Sequence, residues 1–373
     1  MRILFVVAAV LAACLGLWTL PAHAADGDAV IYHGRITNIV KETHEDRIGT
    51  GTLQTIQTLE VQISQGPLKG QTVQVENDIS PLKLNDQVNL VFSTDDQGKP
   101  LIHSVGFVGV YRLPALGWIA VLFAVLVCVF GGWQGIRGLA SLAGSLALII
   151  FALLPGLLHG WSPVGLSIGV SALIIVLGSY ITHGFNRTTT AAVLGMVVTI
   201  ALVGTFALYA VHAARLSGME SEEALYLNIS NNLNLIGLLL GGILIGLLGI
   251  LYDIAIGQAI AVEELRRASP EMPAGQLYSR AARIGREHIG ALVNTLAIAY
   301  VGASLPLLLL FYSGGHTVSQ TLNNEIFSTE IIRTLVGSIG LVIAAPISTA
   351  VAVAMLKNTS FSGRSGNAHP HVH

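Results

Sequence analysis

A row of glycines and carboxylates occupies one face of a long apolar stretch of the sequence. Its members are separated by 4, 3, 4, 4 and 7 residues, and at about 100° per residue an α-helix keeps them within an arc of roughly 80°. The row consists of Gly242, Gly246, Gly249, Asp253, Gly257 and Glu264. Glycines on a membrane helix allow another backbone to approach closely. A carboxylate in the apolar layer is costly unless it is paired, hydrated or protonated, so this face combines a packing groove with a candidate polar path.

The next predicted helix supplies candidate partners for these carboxylates. Five of its residues also share an arc of about 80°, namely Arg280, Arg283, Glu287, Gly290 and Asn294. If the two helices are antiparallel, Asp253 to Glu264 and Asn294 back to Arg283 both cover 11 residues, about 16 Å of helix. The hypothesis is a polar seam with Asp253 beside Asn294 and with Glu264 or Glu287 beside the arginines.

Composition places this seam in a membrane. Of 373 residues only 40 are charged (19 basic and 21 acidic), whereas 53% are hydrophobic. Residues 25–112 hold 18 of these charges, while the 99 residues from Pro114 to His212 hold only Arg137 and Arg187. The chain is therefore predicted to be a membrane protein with a polar N-terminal domain. A net charge of −2 gives no electrostatic basis for nucleic-acid binding.

The first 24 residues resemble a secretory signal. Arg2 precedes an apolar run from Ile3 to Leu20, and Ala22-His23-Ala24 ends it with a small-x-small pattern. Cleavage after Ala24 is predicted, with an uncleaved N-terminal helix and a lipoprotein box ending at Cys14 as alternatives. Each option leaves residues 25–112 outside the cytoplasm.

Seven apolar stretches of spanning length follow Arg112. They cover about 114–130, 139–158, 163–182, 190–212, 235–262, 289–312 and 332–356. With the N-terminal domain outside, nine Lys and Arg residues fall on the cytoplasmic side and two, Arg215 and Arg333, on the other. This bias predicts a cytoplasmic C-terminus, with residues 357–373 forming a tail that contains three alternating histidines.

The polar N-terminal domain is predicted to be a small β-barrel or sandwich, such as an OB-like barrel. Five runs rich in β-forming residues are separated by turn signals at 66–70 and 95–98. The runs are Val30–Val40, Leu53–Ile63, Gln71–Val75, Gln87–Phe92 and Leu101–Val108. Few aromatic residues and an acidic balance favour a structural or protein-docking role over ligand binding.

Several segments in a fixed order resemble the YibE/F-like family of multipass bacterial membrane proteins. The segments are Gly184-Phe185-Asn186-Arg187-x-Thr189, Leu251-Tyr252-Asp253-Ile254-Ala255 and Gly285-Arg286-Glu287-His288-Ile289-Gly290 followed by Asn294-Thr295-Leu296. Where the family pattern leads one to expect Asp-Ile or similar, this chain has Glu287-His288. The resemblance implies a multipass protein of the bacterial inner membrane and carries no established biochemical activity.

Two functions fit these features. A permease or channel for a small solute or ion is favoured by the acid in the seam and by Pro306 and Pro346 inside predicted spans. The alternative is an envelope scaffold or assembly partner that docks through its extracytoplasmic domain, with lipid and a protein partner or a second copy as its contacts. The sequence contains no His-Glu-x-x-His or Walker A motif, so an enzyme is not expected. Neither a metal nor a cofactor is predicted.

Overall fold

The computed structural model describes residues 29–46, 53–95, 97–219, 224–226, 229, 233–315 and 317–359. The predicted signal segment 1–24 and the histidines of the predicted tail lie outside these residues. The chain divides into two compact units at Gly132. Composition predicts the domain boundary at 112/113, between the last strand and the first helix.

The N-terminal unit contains a curled antiparallel sheet of five strands, as the sequence predicted. In sheet order the strands run β3-β2-β1-β4-β5. Their bounds are β1 Ala29–Glu45, β2 Gln54–Ile63, β3 Thr72–Asn77, β4 Gln87–Thr94 and β5 Pro100–Val110. Strict alternation of buried and exposed residues in β3 and β4 presents one face to a core centred on Ile36, Leu59, Leu90 and Phe92.

A buried amide pair fixes the segment that links β3 to β4. Gln57, on β2, accepts hydrogen bonds through Oε1 from Leu82 N (2.7 Å) and Asn77 Nδ2 (3.2 Å), and its Nε2 donates to Leu82 O (3.1 Å). Asn77 Nδ2 also donates to Ser80 O (2.7 Å). These two side chains therefore satisfy backbone groups that the connection leaves without a strand partner.

The helices occupy most of the remaining chain. Their bounds are α1 Leu113–Leu148, α2 Leu154–Leu158, α3 Pro163–His183, α4 Arg187–Ala213, α5 Leu235–Ala268, α6 Ala274–Ala303, α7 Leu305–Ser313, α8 Val318–Leu322 and α9 Glu325–Leu356. A π-helical segment, Ile149–Leu153, joins α1 to α2. Ser162, Asn186, Asn234 and Asn324 each precede a long helix and cap it with a side-chain oxygen.

Five helical stretches in the described residues are long and apolar enough to span a membrane, or six if α6 and α7, bent by 61° at Ser304, form one span. Pro306 begins α7 after this bend and Pro346 lies inside α9. The first stretch runs from Leu113 to Leu158, where the sequence predicted two spans. Gly132 interrupts it with non-helical backbone (φ 54°).

Helix α5 lies at the centre of the bundle and contacts α3, α4, α6 and α9. It is parallel to α9, because Leu247 lies beside Gly337 and Gln258 contacts Thr349. It is antiparallel to α4, because Leu244 lies beside Gly204 whereas Glu263 contacts Thr188. One end of the bundle therefore contains Leu235 with the start of α9, and we call it the Leu235 end. The other contains the start of α4, and we call it the Arg187 end.

Replacing Asn77 with Ala should loosen the β3–β4 connection. The change removes the amide that donates to Ser80 O and Gln57 Oε1, at a cost of roughly 1–3 kcal/mol for buried hydrogen-bonding groups left unsatisfied. In the full-length protein, amide hydrogen exchange at residues 78–82 should accelerate about tenfold or more. Gln74→Ala, which removes only an exposed bond to Glu60 (3.3 Å), is the control. Equal exchange in the two variants would contradict the role assigned to Asn77.

Candidate functional site

The glycine and carboxylate row predicted from the sequence lies on one open side of α5. All six of its members are exposed in the chain, and they are Gly242, Gly246, Gly249, Asp253, Gly257 and Glu264. A methyl group placed on Gly242, Gly249 or Gly257 would meet no described atom within 4 Å. At Gly246 it would approach only the Tyr300 hydroxyl, at 3.7 Å. The row therefore forms an open groove along the surface of the helix, which we call the α5 groove.

The tight helix contacts of the bundle fall at other glycines, which the sequence analysis did not select. A side chain at Gly241 would overlap Ser167, one at Gly195 would meet the Ser348 backbone at 2.9 Å, and one at Gly285 would meet the Gln258 amide at 2.9–3.0 Å. On α9 a spacing signal was available, because small residues recur every three or four positions at Gly337, Gly340, Ala344 and Ser348. The contacts at Gly241 and Gly285 use other faces of α5 and leave the groove uncovered, whereas the contact at Gly195 joins α4 to α9.

Asp253 lies close to the level of the last turn of α3, at the Arg187 end. It follows Tyr252, whose ring centre is 6.0 Å from that of His183, the last residue of α3. Helix α3 has 21 residues, about 32 Å at 1.5 Å per residue, which matches a hydrocarbon layer of about 30 Å. Within the described chain, Asp253 forms no hydrogen bond or ion pair.

The register of α5 and α6 is antiparallel, as the seam hypothesis assumed, but shifted. Gly285 lies against Gln258 and Tyr300 lies against Gly246. Counting back along one helix and forward along the other places Asp253 level with Gly290 to Val293. Asn294 is thus displaced by up to one helical turn from the level that the sequence hypothesis gave it, and it is exposed.

The described chain does not bring the predicted seam residues into contact. Arg280, Arg283, Glu287 and Glu264 are all exposed, and no bond joins them to one another or to Asp253 among the described residues. Gly290 also has open space around it. The pairing of acids with arginines along α5 and α6 therefore stays a hypothesis, whereas the shared open face of α5 is a feature of the structure.

A cavity of about 320 Å³ lies at the Leu235 end of the same helix. Its lining includes Ser167, Leu235, Gly241, Gly242 and Arg333. The Arg333 guanidinium, on α9, is ion-paired with Glu330. Gly242 belongs both to this cavity and to the α5 groove, so the two adjoin at this residue. From Gly242 to Asp253 is 11 residues, about 16 Å, so charged groups flank the groove at a separation of about half the hydrocarbon layer.

A buried polar contact beneath the groove escaped the sequence analysis. Gln258 is only 2% exposed, and its Oε1 lies 2.8 Å from the Thr349 hydroxyl, which donates to it. The same hydroxyl is 2.7 Å from Ala345 O, so its single proton is shared between two acceptors. An amide within the apolar run 235–262 was the available signal. The hydrogen bond between Gln258 and Thr349 ties α5 to α9 about one turn beyond Asp253.

The Gly184-Phe185-Asn186-Arg187 segment builds the turn between α3 and α4. Gly184 has a φ of 79°, which favours glycine, and Asn186 Oδ1 accepts from Thr189 N at 2.7 Å as an N-cap. Arg137 Nε donates to Ile181 O at 2.6 Å and so satisfies a carbonyl at the end of α3. Thr188 next donates to Glu263 on α5 at 2.5 Å. These residues hold the Arg187 end together.

The fold is that of a helical multipass membrane protein. Apolar helices of spanning length pack around a central helix, α5, which has one open face of glycines and carboxylates. Residues 119–358 match the model of the YibE/F-like protein family. The match covers more than half of the sequence, so the chain belongs to the YibE/F-like family, as its motifs suggested. No curated protein and no solved structure matches the chain.

Gly285→Ala should destabilise the helical bundle, whereas Gly290→Ala should not. The added methyl group at 285 would press on the buried Gln258 amide, at a cost of roughly 1–3 kcal/mol. At 290 the space is open, so the better helix propensity of alanine would stabilise by up to about 1 kcal/mol. Thermal unfolding of the two variants in detergent compares these effects directly. Equal melting temperatures would contradict the Gln258–Gly285 contact.

Proposed function

We propose that this protein is a permease or channel for a small solute or ion, and that the α5 groove is part of its path. The observation that supports this most is the position of two charged sites along the α5 groove and the cavity that adjoins it at Gly242, with Arg333 and Glu330 at one end and Asp253 at the other. Ionisable residues within spanning helices are costly, and they commonly mark ion or solute pathways.

The separation of these sites gives the proposal a physical basis. The hydrocarbon layer is about 30 Å thick, but only about 16 Å of helix separates Gly242 from Asp253. A hydrated or charged solute would thus face a short apolar segment between two polar ends. Glycines at 242, 246 and 249 keep that segment free of side chains, and the Tyr300 hydroxyl beside Gly246 offers one polar contact within it.

The groove is open along its side in a single chain, so a path through it needs a cover. A second copy of the chain or another membrane subunit would supply one, and a homo-oligomer is the simpler choice. Asp253 then faces protein instead of lipid. We expect the transport of a cation or proton to depend on its carboxylate.

The proposed setting is the bacterial inner membrane with seven spans. Gly132 would divide the first apolar stretch into two crossings, and the bent pair α6–α7 would form a further one. The Arg187 end would be cytoplasmic, because most of the Lys and Arg residues of the membrane domain lie there. The β-domain would follow a cleaved signal and lie outside. Its strand order, with β3 and β5 in contact, supports an OB-like barrel.

Flux measurements in liposomes would test the transport proposal. The full-length protein should pass protons or divalent cations, and Asp253→Asn should lower that flux at least tenfold while the protein stays folded. Gly249→Leu should also lower it, because the new side chain extends into the groove at a position where an added Cβ meets no described atom within 4 Å. Glu271→Gln and Gly275→Leu change exposed residues of the α5–α6 turn and of the start of α6, and they should leave flux unchanged. Flux that is absent, or equal in all variants, would contradict the proposal.

A scaffold is the second candidate, and the open glycines favour it specifically. Gly242, Gly249 and Gly257 would admit the backbone of a helix from another chain. In that case Gly249→Leu would abolish co-purification of a membrane partner, whereas Asp253→Asn would have little effect and the liposomes would show no flux.

Single-cysteine labelling would test the proposed orientation. With both native cysteines replaced (Cys14→Ala and Cys128→Ala), the Asp95→Cys variant should react with a membrane-impermeant maleimide applied to spheroplasts. A cysteine at Glu271 should react only after the membrane is permeabilised, because we place the α5–α6 turn in the cytoplasm. Labelling of position 271 in intact spheroplasts would reverse the orientation.

A further inference from the structure

A second, largely apolar groove is lined by residues of α3, α4 and α5 and contains none of the charged residues described above. It encloses about 390 Å³ between α3, α4 and α5, a volume within the usual range for small-molecule sites, about 300–1,000 Å³. Its lining extends from Val164 to Ile175 on α3 and from Val197 to Leu208 on α4. Thr205 is the polar side chain in this lining, and its hydroxyl donates to Ala201 O within α4 (2.8 Å).

The length of this groove corresponds to one leaflet. Val197 to Leu208 is 11 residues, or about 16 Å of helix, and half of the hydrocarbon layer is about 15 Å. The groove lies toward the Leu235 end, because Val164 is the second residue of α3 and Leu240 contributes from α5. Exposed Trp161 precedes that helix, at the depth where tryptophan is enriched in membrane proteins.

A cationic residue stands beyond the mouth of the groove in an unusual backbone conformation. Helix α4 ends in a Schellman motif, in which Leu216 N donates to Val211 O and Arg215 N donates to His212 O, each at 3.1 Å. Arg215 occupies the left-handed position of this motif, with φ 52°. Glycine adopts that conformation freely, whereas an L-residue does so at a cost. The backbone conformation does not explain why this position holds an arginine and not a glycine. We therefore assign the role of Arg215 to its side chain.

No described residue engages the Arg215 guanidinium. It is exposed and makes no hydrogen bond or ion pair among the described residues. The nearby carboxylate of Glu325 is already engaged, since its Oε1 accepts from Ser217 N (2.6 Å), Ser217 Oγ (2.8 Å) and Gly218 N (3.0 Å). His212 donates through Nδ1 to Leu208 O (2.8 Å), which places its ring next to the last residue of the groove.

We propose that this groove binds a diacyl glycerophospholipid, with one acyl chain between α3, α4 and α5 and the phosphate at Arg215. The apolar lining suits hydrocarbon. The turn of helix from Leu208 to His212 provides room for the glycerol ester region, and arginine is well matched to a phosphate. This site is separate from the α5 groove and does not depend on the transport proposal.

Lipid retention by the full-length protein tests this site. The protein in detergent is incubated with phosphatidylglycerol or with phosphate-free dioleoylglycerol, and bound lipid is counted by native mass spectrometry. The wild type should retain one phosphatidylglycerol and bind dioleoylglycerol about tenfold more weakly, the weight of one charge-assisted hydrogen bond. Arg215→Gly should weaken phosphatidylglycerol binding by about the same factor, and Arg215→Lys should retain most of it.

Two further variants separate the groove from general effects on folding. Ala201→Phe should fill the groove and abolish retention, whereas Ala297→Phe, in the cavity between α6 and α9, should not. Arg215→Gly should melt at the same or a higher temperature, because glycine suits the left-handed position. Retention that is equal in the wild type, Arg215→Gly and Ala201→Phe would overturn the proposal, as would a loss in only one of those two variants.

Discussion

The packing of the helical unit depends on one helix, α5, and on the small residues that let other helices approach it closely. Lipid offers no hydrophobic drive for helices to associate, so they pack where small side chains allow close contact. Helix α5 makes such contacts on three sides, through Gly241 with Ser167, through Gln258 with Gly285 and through Leu247 with Gly337. Its fourth side carries glycines too, but these face open space. The same residue type therefore closes the bundle on some faces and leaves a groove on another.

Charged side chains at the two ends of the bundle differ in whether they have a bonding partner. At the Arg187 end, Glu263 forms short local contacts with Thr188 and with Arg267. At the Leu235 end, Glu330 pairs with Arg333, and Glu325 is held by the loop after α4. The side chains of Asp253 and Arg215 form no hydrogen bond or ion pair with the described residues, and each lies beside a groove. Their free side chains are the reason that both are central to the functional proposals.

The family motifs have mostly structural roles where the structure describes them. Asn186 caps α4, Gly184 permits the turn before it, and Gly285 makes room for a buried amide. A family resemblance carried by such residues identifies the fold and the membrane setting. It does not by itself identify a substrate, because none of these three residues belongs to the α5 groove. Asp253, within the Leu251–Ala255 motif, is the exception.

The sequence by itself determined the five strands, the apolar helices and the common face of the α5 row, because each follows from a local period of 2 or 3.6 residues. The antiparallel relation of α5 and α6 was an assumption of the seam hypothesis, and the structure contains it. The register of that pair, shifted by up to one turn, depended on where Gln258 meets Gly285, a contact between residues distant in sequence. Which glycines are covered, and that Arg215 adopts a left-handed conformation, likewise depended on tertiary packing. Helical period assigns residues to a face, but only the positions of the neighbouring helices decide what that face contacts.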